Sequence, residues 1–412
     1  MKALLGLPLL VACSTSPADP TEVSSGLARD LAPQVADADY AALIAGDTAF
    51  AVDLLHQVGT ADGNLFYSPH SISQALAMTY AGAAGTTATQ MADALHFTLP
   101  PATLHAAMDR LDLELASRAT AATSDTRPFQ LHVANAIWGQ DGAPFQAPFL
   151  DTLAVSYGAG LHVVDYAHAA ETARGTINDW VAARTNDKIL DLLPVGSVDA
   201  GTRLVLTNAI YFSAAWAHPF EASATADGAF TTAGGPVTVP MLHEVADLSY
   251  GAGEGYAAAE LPYDGDQLSM VVIVPDALAS FQAALTPDKL AAVLHALSTA
   301  SVTLTLPKFR FTAPLSLAPA LQALGMVDAF GPAADFSGID GARDLQITGV
   351  LHKGFVGIDE AGTEAAAATA VVVGTTSVPE PHTLVVDRPF LFAIRDRPTG
   401  AILFVGRVVD PR

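Results

Sequence analysis

Basic residues are scarce: 19 Lys and Arg stand against 42 Asp and Glu, giving a net charge of −23 and a pI near 4.6. That excludes nucleic acid and anionic lipid surfaces as partners, because each demands a basic stripe. Cysteine is nearly absent, and a single one, Cys13, builds neither a disulfide framework nor a thiolate metal site. Long apolar runs are missing as well. Beyond the N-terminus nothing approaches the ~20 residues a membrane-crossing helix needs, and the run 268–275 fits a buried strand. Enzyme signatures are wanting too: there is no nucleophile elbow, no zinc-protease helix motif and no Walker loop. The pair His243-Glu244 lacks a second His at helical spacing. In Gly251-Ala252-Gly253-Glu254-Gly255, Tyr256 stands where a dinucleotide-binding turn needs its third glycine, so the stretch reads as a surface turn. What is plentiful is apolar surface. At 51% hydrophobic residues the chain buries enough to offset its conformational entropy, which excludes disorder.

The N-terminus carries an address. Met1-Lys2 and the apolar run Ala3 to Ala12 form the charged and apolar regions of a signal peptide, residues 1–12. Cys13 follows Leu10-Val11-Ala12, a string that resembles the lipobox of bacterial lipoproteins, so Cys13 is the expected lipid attachment site. Ser14 then resembles the default sorting pattern to the outer membrane. Residues 13–36, rich in Ser, Thr, Pro and Asp, are expected to be a polar tether, and 37–412 a single domain.

Helical spacing marks residues 39–56, 71–97, 103–117 and 176–193. Runs of Val, Ile, Leu and aromatics mark strands at 131–138, 203–212, 268–274, 302–311, 350–358 and 384–394. Helices early and strands later predict an α+β protein, with helices packed on large mixed or antiparallel sheets.

One segment has two possible fates. From Asp359-Glu360-Ala361-Gly362 the chain runs on through Thr363, Glu364, Ala365, Ala366, Ala367, Ala368 and Thr369 to Ser377. Read with period two, Thr363, Ala365, Ala367, Thr369, Val371 and Val373 share one small, uncharged face, and Glu364 falls on the other. Such a strand can enter a sheet without burying a charge. Yet Gly374-Thr375-Thr376-Ser377 and Pro379-Glu380-Pro381 have the composition of an exposed, protease-accessible loop.

This segment resembles the reactive-loop hinge of the serpin family, and other stretches agree in order and spacing. They are Asn64-Leu65-Phe66-Tyr67-Ser68-Pro69-His70-Ser71, Leu206-Thr207-Asn208-Ala209-Ile210-Tyr211-Phe212 with Trp216 and Pro219-Phe220, and Leu306-Pro307-Lys308-Phe309. Leu351-His352-Lys353, Asp387-Arg388-Pro389-Phe390-Leu391-Phe392 and the closing Phe404 to Pro411 complete the set. The resemblance implies a serpin fold with an exposed reactive-centre loop at about 360–386. It implies a suicide-substrate inhibitor of serine or cysteine endopeptidases that traps the acyl-enzyme by loop insertion, with no catalytic residues and no cofactor of its own. The alternative within the family is a non-inhibitory binding or structural member. Counting from Gly362 puts the reactive bond at Thr376-Ser377, with a shift of one to three residues left open by the variable loop length.

The resemblance also implies roles for single residues. Glu360, Gly362, Thr363, Glu364 and the run Ala365 to Thr369 correspond to the hinge, and Trp216, Lys308 and Glu360 to the breach where the inserting strand enters. Ser68, Ser71, Asn208 and His352 correspond to the shutter that controls opening lower down, where plain core hydrogen bonding is the competing reading. Small uncharged residues before the cut bond favour an elastase-, subtilisin- or papain-like target. Helix 103–117 holds only Arg110, with Arg118 just beyond, so no glycosaminoglycan activation is expected. A monomer touching the membrane only through its lipid, at the outer membrane or secreted, completes the expectation.

Overall fold

A computed structural model describes residues 20–60, 62–124, 127–363 and 381–412. It begins with a two-residue strand, Glu22–Val23 (β1), and a long helix, Asp37–Val58 (α1). Strand Leu65–Tyr67 (β2) leads into helices Pro69–Tyr80 (α2), Gly85–Ala94 (α3) and Pro101–Ser117 (α4). Strand Gln130–Gln140 (β3), helix Ala147–Tyr157 (α5), strand Leu161–Val164 (β4) and helix Tyr166–Arg184 (α6) follow. Strands then dominate: Leu204–Ala215 (β5), Ala226–Thr232 (β6), Gly235–Gly253 (β7), Tyr256–Pro262 (β8), Leu268–Pro275 (β9), Ser298–Pro307 (β10) and Phe309–Ser316 (β11). The last are Gly349–Asp359 (β12), Gly362–Thr363 (β13), His382–Val385 (β14), Phe390–Asp396 (β15) and Ile402–Val408 (β16).

Two sheets result. One has seven strands in the order β1-β4-β3-β5-β13-β12-β11, and the other has nine, β14-β10-β7-β8-β9-β15-β16-β2 with β6 on β7. All twelve residues of β5 are buried, as a central strand covered on both faces must be. On one face lies the main core. On the other, α6 covers the sheet with a second cluster built on Trp138, Tyr166, Ile177 and Trp180. The expected α+β architecture is therefore present.

Helix α2 shows how local chemistry sets an element. The Ser68 side chain caps it by accepting from the Ser71 amide at 3.1 Å, and Pro69 fills the first turn where its missing N–H costs nothing. Residues 69–79 are all buried, which explains the absence of charge in the sequence.

Several expectations need correction. The single helix expected at 71–97 is two, because Gly85 takes a left-handed φ of 53° and Gly82 packs so closely on Ile339 that no side chain fits. The strand expected at 302–311 is split between the sheets. Pro307 offers no N–H to continue a ladder, and the Lys308 amide instead donates to the Pro240 carbonyl as the chain crosses over. The strand expected at 384–394 is likewise two: β14 lies parallel to β10, and β15 pairs with β9 and β16. Of the expected turn 251–255, only Glu254 and Gly255 turn. Gly251 to Gly253 pair with Tyr256 to Ala258 in the ladder.

The expected tether also differs where it is described. Glu22 and Val23 pair with His162 and Leu161 at the edge of the seven-stranded sheet. Arg29 reaches Asp109 and Asp112 on α4, and the Val35 carbonyl accepts from Arg110. Residues 20–36 thus lie along the body, held by a ladder and ion pairs that composition does not reveal. Cys13 lies outside the described residues.

Candidate functional site

Near one end of the seven-stranded sheet, its mouth, strands β5 and β12 part. Over its lower length β12 pairs directly with β5 in parallel, from Gly349 opposite Val205 to Phe355 opposite Tyr211. Above that the two strands part and β13 sits between them, antiparallel to both. Gly362 faces Ala215 and Thr363 faces Ala214 on one side, while Asp359 and Ile358 face them on the other.

The turn entering β13 is tightly held. The Asp359 carboxylate accepts from the amides of Ala361 at 2.9 Å and Gly362 at 3.1 Å. It is also gripped by both terminal nitrogens of Arg127, at 2.9 and 3.1 Å, in a buried bidentate pair. Gly362 is required here, since φ is 153° and a Cβ would stand 2.1 Å from the Ala214 carbonyl oxygen. Thr363 is 1% exposed, and its hydroxyl shares a 2.7 Å hydrogen bond with that of Tyr263. Trp216 stacks on Tyr263 at 4.7 Å and closes the mouth. Its indole N–H donates to the Asp359 carbonyl at 3.0 Å, and its amide donates to the Ala361 carbonyl at 2.9 Å.

Glu360 points the other way. Its carboxylate takes two hydrogen bonds from Lys308 Nζ, at 2.9 and 2.8 Å, and a third from Thr225 at 2.8 Å. Burial works to raise its pKa, but Lys308, the backbone and Thr225 outweigh it, so the carboxyl sits below the usual range.

Lower down, where β12 and β5 touch, the polar groups are neutral. His352 stands opposite Asn208 and gives Nδ1–H to its side-chain oxygen. The Asn208 amide donates to Ser71 Oγ at 2.6 Å and to the Asn135 side-chain oxygen at 2.5 Å. Asn135 in turn donates to the Ser71 carbonyl and the Gln74 side chain, at 2.9 and 3.0 Å. Four elements, α2, β3, β5 and β12, are tied through this cluster. Burial lowers the His352 pKa to about 3, so the imidazole is neutral, and its Nε2 has no hydrogen-bond partner among the described residues.

The structure therefore brings Trp216, Lys308, Glu360, Gly362 and Thr363 to one mouth. It brings Ser71, Asn208 and His352 into one network, with Ser68 joined to it by capping Ser71. Glu364, Ala365, Ala366, Ala367, Ala368 and Thr369, with Thr376 and Ser377, lie outside the described residues. Sequence reasoning missed Arg127, Tyr263, Asn135 and Gln74, and quoted Asp359 without giving it a role. Asn135 had a signal, an amide inside the apolar run 131–138. Arg127 had none.

Fold and mouth together define an α+β protein whose main sheet holds Gly362 and Thr363 between two central strands. The family described as Serpin (serine protease inhibitor) matches residues 45–411. The leukocyte elastase inhibitor of Bos taurus is 38% identical over 383 residues, covering 90% of this chain and 99% of that protein. A serpin-like protein of Methanosarcina acetivorans is 36% identical over 392 residues, covering 92% of this chain and 90% of that one. Among solved structures, native tengpin, a thermophilic serpin, superposes with a TM-score of 0.83 at 27% identity, over 95% of this chain and 100% of its own. The chain belongs to the serpin family, which makes it a member of a class of protease inhibitors rather than enzymes.

Proposed function

We propose that this protein is an irreversible suicide-substrate inhibitor of endopeptidases that cut after a small uncharged residue. The observation that carries the reading is the placement of Gly362 and Thr363 as a strand between β5 and β12. On this reading, the two residues are the first step of insertion. A protease that attacks the loop near Thr376-Ser377 forms an acyl-enzyme, and cleavage frees the segment to follow Thr363 down the gap. Each inserted residue replaces a direct β5–β12 contact with two ladders, antiparallel to both neighbours. At ~3.3 Å per residue, about 14 residues carry the acylated protease roughly 45 Å. Around ten new ladder hydrogen bonds at ~1 kcal/mol net each, with burial of the small face, drive the movement. A displacement of ~1 Å in the enzyme's catalytic groups costs about 100-fold in rate, so deacylation stalls.

Target choice rests on the sequence before the bond and on the elastase inhibitor among the relatives. Elastase-, subtilisin- and papain-like enzymes are the expected partners. Glycosaminoglycan is not, because Arg110 and Arg118 on or beside α4 are each neutralised, by Glu114 and Asp396. Export and a lipid on Cys13 belong to the same proposal, supported by the residues before and after it. Mass spectrometry of the mature N-terminus checks this.

The test of inhibition is to mix the protein with pancreatic elastase, subtilisin, papain and trypsin and run denaturing gels with mass spectrometry. A denaturant-resistant covalent complex is expected with the first three. Clean cleavage without a complex for every protease overturns the mechanism and leaves the non-inhibitory alternative.

A further inference from the structure

A second site lies away from the loop. Between α4 and β3 opens a cleft of about 480 Å³ whose walls are mostly apolar, with Leu115, Phe129, Leu131 and Val133 among them. A volume of this order suits a small organic molecule. Into it comes His70 from the first turn of α2, 5% exposed. Its Nδ1 is held at 3.0 Å by the buried Asp47 carboxylate of α1, and Ser73 donates to the other Asp47 oxygen at 2.7 Å. An imidazole held this way has a fixed tautomer. The Nδ1–H points at the carboxylate, and Nε2 is left free to accept a hydrogen bond. No hydrogen bond within the described residues uses that nitrogen.

The ligand chemistry follows from what surrounds it. A largely apolar cleft whose strongest polar groups, His70 Nε2 and the Asp112 carboxylate, are acceptors calls for an apolar body carrying an O–H donor. A carboxylic acid, with a pKa near ~4, would arrive as an anion. It would then meet Asp112 on the cleft wall, within a chain of net charge −23. Arg29 is already shared between Asp112 and Asp109, so no cation is left over there to welcome an anion. A phenol, with a pKa near ~10, stays neutral and keeps its proton to donate. His132, stacked on Tyr211 at 5.9 Å, adds a flat wall suited to an aromatic body.

We infer that the cleft between α4 and β3 binds a neutral aromatic alcohol or phenol, whose hydroxyl donates to His70 Nε2. This rests on the cleft and the Asp47–His70 pair and not on the inhibitory mechanism. A failed inhibition assay leaves it standing.

The experiment titrates the full chain with 2-naphthol, following its fluorescence and the heat of binding, with 2-methoxynaphthalene and 2-naphthoic acid as controls. One-to-one binding of 2-naphthol is expected, about tenfold tighter than the ether that cannot donate. In ¹⁵N spectra the His70 Nε2 resonance should move with the naphthol and not with the ether. Two variants locate the site. The double change Asp47→Asn with His70→Leu removes the acceptor without stranding a buried charge. Ala119→Trp fills the cleft from an exposed rim position. Both should weaken 2-naphthol by about tenfold or more. Equal affinity for naphthol and ether, tighter binding of the acid, or unchanged affinity in Ala119→Trp overturns the assignment.

Discussion

The two polar sites on strands β5 and β12 solve different problems. At the mouth, the groups are charged: Arg127 with Asp359, and Lys308 with Glu360. At the middle, they are amides, hydroxyls and a neutral imidazole, and Ser71, Asn208 and His352 are all essentially inaccessible. The partly exposed Lys308–Glu360 pair can exchange partners with water as the turn moves, whereas the buried Arg127–Asp359 pair pins the turn. A deep neutral network has no such help, and every bond in it must be broken and remade inside the protein. On the proposed mechanism, the mouth lets a strand start and the middle makes it wait.

That contrast can be broken experimentally. The largest effect is expected from Thr363→Arg, which places a charge where a hydroxyl now meets Tyr263. A buried unpaired charge costs several kcal/mol, so the variant should be cleaved as a substrate with no covalent complex on a denaturing gel. Unchanged complex formation would sink the insertion mechanism.

Next comes Arg127→Met, which leaves Asp359 buried with only backbone donors. About 3 kcal/mol is the order expected for orphaning one member of a buried pair. The turn should leave the mouth, the emission of Trp216 should shift as its indole loses the Asp359 carbonyl, and inhibitor should be spent less efficiently per protease trapped. Arg127→Lys should recover only part, since an ammonium cannot make the bidentate pair. If emission and stoichiometry both stay at the parent values, Arg127 does not hold the hinge.

Asn208→Ala attacks the middle. It takes one hydrogen bond each from Ser71 and Asn135 and leaves the buried His352 with none, and a loss of ~2 to 3 kcal/mol should appear in chemical denaturation. A midpoint equal to the parent's would show that the network carries no load.

Per unit of pH, the smallest effect comes from His352. The His352 pKa is about 3 in the folded protein and near 6.5 when exposed, so below 6.5 the unfolded chain takes up a proton that the folded one refuses. Stability should therefore fall as pH drops from 6.5 towards 3, by at most ~1.4 kcal/mol per unit from this group. Denaturation midpoints across that window, compared with those of His352→Gln, read the difference. Parallel curves for the two proteins would remove His352 as the cause.

Much of this was legible in the residues. The buried strands β5 and β9 follow from composition, and Thr363, first on the uncharged face of the loop segment, lies buried in the sheet. Lys308 with Glu360, and Asn208 with His352, came through the family resemblance. Short connections misled: a proline after an apolar run ended β10, and the same apolar composition served both sheets. Residues 20–36 misled for a related reason, because a polar stretch and an edge strand differ only in what lies beside them.

By itself, then, the sequence determined what acts through neighbours in the chain: the α+β pattern, and the glycine at 362 where no side chain fits. Only the tertiary structure decided which distant groups meet. Arg127 and Asp359 lie 232 positions apart, and Asp47 and His70 are on different helices. A charge or a ring nitrogen leaves no periodic mark along the chain. Its partner is chosen by the packing that brings two elements together, and by the cost of leaving either one buried alone.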